Sequence, residues 1–96
     1  MEYLIKREDG NWFSLGPDNY ESTLTPSSIA WERINGQGDF RIKCAEGEVS
    51  FSYEDPGILV SFESISFTEE RCNKILDEVL RNIKSKTGEE GYVVPL

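Results

Sequence analysis

A chain of 96 residues holds one domain with a single modest core, so each sizeable apolar run is expected to serve that core or a partner surface. Its 18 acidic and 10 basic side chains leave a formal charge of -8, which disfavours nonspecific binding to nucleic acid or an anionic membrane and suits a basic protein partner. Acidity of this kind also serves solubility alone. No apolar run is long enough to cross a bilayer. The opening MEYLIKREDG lacks the basic and apolar regions of a secretory signal, so a cytoplasmic location is the default expectation.

Residues 1–6 alternate as a strand, and Glu8-Asp9-Gly10-Asn11 supplies a reversal. Trp12, Phe13 and Leu15 then complete an expected hairpin over residues 1–15. Gly16-Pro17-Asp18-Asn19 breaks the pattern, and residues 20–24 read as a brief edge strand or a loop across the core. Residues 29–34, with Trp31, form the next strand candidate, followed by the reversal Asn35-Gly36-Gln37-Gly38.

The pattern is clearest in the middle of the chain. Phe40, Ile42 and Cys44 face one side, with Arg41 and Lys43 on the other. After Glu46-Gly47, Val49, Phe51 and Tyr53 alternate with Ser50, Ser52 and Glu54. Asp55-Pro56-Gly57 ends that strand, and residues 58–63 place Ile58, Val60 and Phe62 on one face. Short reversals between successive strands argue for an antiparallel meander.

Residues 66–86 carry the strongest periodicity. Cys72, Ile75, Leu76, Val79, Leu80 and Ile83 make one apolar stripe at helical spacing, which needs a sheet to cover. Ser66 with Glu69, or Thr68 alone, caps its start, and Gly88 stops it. Residues 89–96 form an apolar tail that stays mobile, adds an edge strand or docks on the core. The expected fold is therefore α+β: one domain over residues 1–96, an antiparallel β-meander of about five or six strands packed by one C-terminal α-helix.

Cys44 and Cys72 form no CxxC pair and sit within apolar patterns, so free, buried thiols are expected; a disulfide requires their elements to face each other. The chain has no histidine, hence no histidine general base and no Ser/His/Asp or Cys/His nucleophile. Two cysteines fall short of a structural zinc set, and no phosphate loop, dinucleotide fingerprint or calcium loop is present. No metal, cofactor or catalytic residue is expected. Glu54 with Glu63, or Asp55 beside them, are the carboxylates to weigh for acid catalysis, and surface solvation is their simpler role.

The polar side of the sheet suggests a binding surface. Glu46, Glu48, Glu54, Asp55 and Glu63 form a candidate acidic set for the lysines and arginines of a basic partner. Tyr20 and Trp31 are candidate apolar anchors, although a solvent-facing strand is polar whether or not anything binds it, and both rings also suit core packing.

The stretch GDFRIKCAEGEVSFSYEDPGILVSFESISFTEERCNKILDEVLRNIKSKTG resembles small immunity proteins encoded beside bacterial polymorphic or contact-dependent toxins. The shared features are a polar-strand meander, a short acidic turn and a terminal helix ending near Thr87-Gly88, over residues 39–88. The resemblance implies a cytoplasmic, non-catalytic protein that neutralises a cognate toxin domain, such as a nuclease, by covering its active or substrate-binding surface. It supplies no inhibitory residue to transfer. The alternative is a small structural or regulatory domain that associates weakly with itself through a sheet edge or its tail.

Overall fold

The computed structural model describes residues 1–54 and 57–96. Their order is β1 (Glu2–Arg7), α1 (Pro17–Thr23), β2 (Glu32–Arg33), β3 (Phe40–Cys44), β4 (Gly47–Glu54), β5 (Gly57–Glu63), α2 (Glu69–Thr87) and β6 (Gly91–Pro95). The strands form one antiparallel sheet in the order β2-β3-β4-β5-β1-β6. The α+β meander packed by a late helix is thus the observed architecture.

Strict alternation sets the register. Phe40 lies opposite Phe51, Ile42 opposite Val49 and Phe51 opposite Val60, so the apolar members of β3, β4 and β5 share one face. Tyr3 and Ile5 extend that face onto β1 through their partners Val60 and Ile58. Helix α2 covers it with Cys72, Ile75, Leu76, Val79 and Ile83, all buried. Each fully buried side chain of this size contributes about 1.5–3 kcal/mol of transfer free energy. Edge-to-face contacts of Phe62 with Tyr3 and Phe67 close one end of the core.

Of the two caps available to α2, Thr68 is the one used: its hydroxyl accepts the Arg71 N–H at 3.1 Å. Glu69 and Glu70 occupy the first turn and Lys84 and Lys86 the last, matching the helix dipole. Gly88 ends the helix at φ 76°, where its N–H reaches the Lys84 carbonyl at 2.8 Å. A side chain at that backbone angle would be strained.

The N-terminal third departs from the sequence expectation. β1 does not form a hairpin with Trp12, Phe13 and Leu15, which lie outside any strand. It sits inside the sheet between β5 and β6, its two backbone edges pairing with those strands over five residue pairs each. Phe13 instead anchors the connecting segment by its buried ring. Residues 17–23 form a short helix, started by Pro17 in the first turn, in place of the expected break at residues 16–19 and the strand or loop over residues 20–24. Within residues 29–34, only Glu32 and Arg33 pair as strand.

Side-chain bonds fasten this segment to the helix. Asn82 donates to the carbonyls of Thr23 and Thr25 at 3.3 and 3.0 Å. Glu89 accepts from the Ser14 N–H and hydroxyl at 2.8 and 2.5 Å, and lies 3.0 Å from Arg7. The tail takes the edge-strand option as β6. Both cysteines are free and buried, as expected, and burial pushes both thiols up from their ordinary pKa.

Candidate functional site

Helices cover one face of the sheet; the side chains that alternate away from them form the other. Register builds this open face in rungs. One rung carries Glu32, Lys43, Glu48 and Glu63, and the next carries Arg41, Ser50, Ser61 and Glu2. A third runs through Ser52, Leu59, Leu4 and Val94, so the face turns apolar toward β6.

Arg41 organises the charged half. Glu48 and Glu63 stand directly opposite each other, a like-charge pairing that is unfavourable by itself. The Arg41 guanidinium resolves it, donating to both Glu63 oxygens at 2.6 and 2.8 Å while its Nε lies 3.3 Å from Glu48. Such a two-bond fork fixes orientation as well as charge. Arg41 is only 11% exposed at its side chain, against 45% for Glu48 and 43% for Glu63, so the carboxylates rather than the cation face outward.

The loop between β2 and β3 leans on the same arginine. A Cβ at Gly36, where φ is 156°, would lie 2.6 Å from Arg41 Cδ and Nε, so a glycine is needed for this approach. Gln37 and Gly38 then wall one side of a shallow concavity of about 440 Å³, whose floor includes Ser50, Ser52 and Ser61. Ser61 donates to Glu2 at 2.9 Å on the far side.

The candidate binding residues do not form one patch. Glu48 and Glu63 meet at Arg41. Glu54 is exposed, but its register partner is Gly57, six residues along the ladder from the Glu48 and Glu63 pair. At about 3.4 Å per residue this is roughly 20 Å, far too long for Glu54 and Glu63 to act as an acid–base couple. Asp55 lies outside the described residues.

Glu46 belongs elsewhere: its Oε2 lies 2.6 Å from Arg71 Nε, so it ties the β3–β4 turn to α2. The aromatic anchors also turn inward. Tyr20 is partly buried beside Phe40 and Tyr53, with centroids 6.4 and 5.8 Å away, and burial raises its pKa. Trp31 packs against the core as well. Trp12, by contrast, is an exposed ring, 47% accessible and tilted over Tyr53 at 5.8 Å.

Sequence reading missed Arg41 as the pin of the acidic face and Ser50 as its floor. The signal was present in the alternation, since Arg41, Ser50 and Ser61 occupy outward positions of successive strands. Comparison with protein-family models, with curated proteins and with solved structures yields no match to this chain.

Proposed function

We propose that this chain is an immunity-type inhibitor that binds a basic bacterial toxin domain in the cytoplasm and covers its active or substrate-binding surface without chemistry of its own. The observation that carries the proposal is the open sheet face, where Arg41 holds two half-exposed carboxylates in a fixed array. Pre-set acidic geometry speeds encounter with a basic surface and rejects acidic ones. Among the described residues no helix is long and apolar enough to cross a membrane, and the overall charge of -8 adds to the long-range attraction for a basic partner. Resemblance to small immunity proteins over residues 39–88 supports the same assignment.

The test is co-purification with the toxin encoded beside this chain, followed by a toxin-activity assay. A one-to-one complex with suppressed activity is expected. A folded protein that neither binds nor protects overturns the proposal. Charge reversal at Glu48 and Glu63 is expected to slow association most at low ionic strength, where screening is weakest.

One observation favours self-association as a second reading. Leu96 N–H bonds to Glu2 O, and Glu8 N–H bonds to Glu90 O. This phasing turns the backbone groups of Gly91, Val93 and Pro95 away from β1, toward an uncovered edge. Tyr92 and Leu96 are exposed beside it. Light scattering that finds only monomers across the working concentration range overturns this reading.

A further inference from the structure

We propose that β6 pairs with β6 of a second copy of this chain, antiparallel about a symmetry axis through Val93; the inference rests on the self-association reading above and fixes its register. The outward backbone groups of Gly91 and Val93, and the Pro95 carbonyl, bond to no described residue. An open ladder of this kind is a template for a further strand. The opposite edge of the sheet, β2, is only Glu32 and Arg33. Pairing through β6 therefore uses the same surface on both copies and closes as a dimer.

The sequence of β6 complements itself about Val93. Gly91 falls opposite Pro95 of the second copy, and Tyr92 opposite Val94 of the second copy. The Val93 N–H and carbonyl bond to their counterparts, while the Gly91 N–H donates to the Pro95 carbonyl across the axis. Proline has no N–H to return. The carbonyl it leaves over belongs to Gly91, which has no side chain to keep water from it.

The same glycine makes room for the proline ring. Gly91 borders a hollow of about 230 Å³ lined by Glu8, Leu80, Arg81, Lys84 and Glu90. Val93 and Pro95 share the face that α2 covers, since their register partners are Ile5 and Tyr3, so the Pro95 ring of the second copy comes to the rim of that hollow. On the other face Tyr92, 43% exposed, meets the second copy's Val94. This is an aromatic and β-branched pair of the kind that holds strands together, and it continues the apolar row of Leu59, Leu4 and Val94.

Sliding the pairing by two residues, so that Tyr92 meets Tyr92, sets Val94 against Glu90 and Pro95 against Glu89, which Ser14 and Arg7 already hold. Charge does not forbid the contact. Lys6, Arg81 and Lys84 stand near Glu2, Glu8 and Glu90 along this edge, so the net charge of -8 is not concentrated where the copies meet. Arg41, Glu48 and Glu63 lie on β3, β4 and β5, which leaves the acidic array open in the dimer.

Sedimentation velocity of the full chain over a wide concentration range tests the pairing, with a concentration-dependent dimer expected. Val93→Pro deletes an outward N–H that β1 does not use, and Tyr92→Glu, at an exposed position, sets a charge against Val94. Each should weaken the dimer at least about tenfold. In a mixture of isotope-labelled and unlabelled chains, filtered NOEs should join the Tyr92 ring to Val94 methyls across copies. A dimer that survives Tyr92→Glu, or that shows no such NOE, overturns this register and keeps self-association. Monomers at every concentration overturn both.

Discussion

On the face that α2 covers, Ile42, Val49, Phe51 and Val60 are at most 2% exposed. One residue away on the same strands, Arg41, Glu48 and Glu63 face outward in a hydrogen-bonded array. The period of two therefore separates cohesion from recognition along a single backbone. A substitution on the covered face tests folding; its neighbour on the open face tests binding. Each of the following experiments either widens or erases that division.

The largest effect is expected for Phe51→Ala, which should lower unfolding free energy by about 4 kcal/mol in urea denaturation, because the packed core leaves a cavity around the lost ring. A cost below about 1 kcal/mol contradicts a close-packed covered face. Next comes Glu89→Gln. Burial pushes the Glu89 carboxyl up, but its bonds to Ser14 and the nearby Arg7 outweigh this and hold its pKa below the ordinary value. The folded chain therefore takes up this proton at lower pH than the unfolded chain. Its stabilisation is complete above the ordinary carboxylate range and disappears as pH falls through the folded value. The variant should be about 2 kcal/mol less stable near neutrality, and its deficit should close in acid when melting is followed against pH.

Arg41→Gln is expected to cost about 1.5 kcal/mol at low salt, between exposed and buried ion pairs. It leaves Glu48 and Glu63 opposed, so added salt should recover part of the loss. A salt-independent deficit would assign Arg41 a packing role through its alkyl stem instead. The smallest effect belongs to Glu54→Gln, which should change thermal stability by no more than about 0.5 kcal/mol. A larger loss would make the open face structural.

Much of the covered face was legible in the chain. The stripe from Cys72 to Ile83 and the alternation of residues 40–44, 47–54 and 58–63 depend on local spacing, and the structure follows them. β1 was legible as a strand but not in its pairing, since Glu2 meets Ser61 and Tyr3 meets Pro95 across most of the chain. Helix α1 was hidden because PDNYEST has no apolar period to reveal it.

The open face followed the same divide. Glu48 and Glu63 were recognisable as outward carboxylates, yet neither the arginine that joins them nor the separate attachment of Glu46 to Arg71 follows from spacing alone. Tyr20 and Trp31 carry no mark that distinguishes an interface ring from one lying against a core. That choice is made by elements distant in sequence.

The central position of β1 also constrains how the molecule is made. Its neighbours, residues 57–63 and 91–95, leave the ribosome long after it does, so Tyr3 and Ile5 have no native cover until those later strands are made. The β2-to-β5 meander can zip up from short loops while β1 waits for distant closure. Completion of the sheet is therefore postponed until β6 arrives to flank a strand made some eighty residues before it.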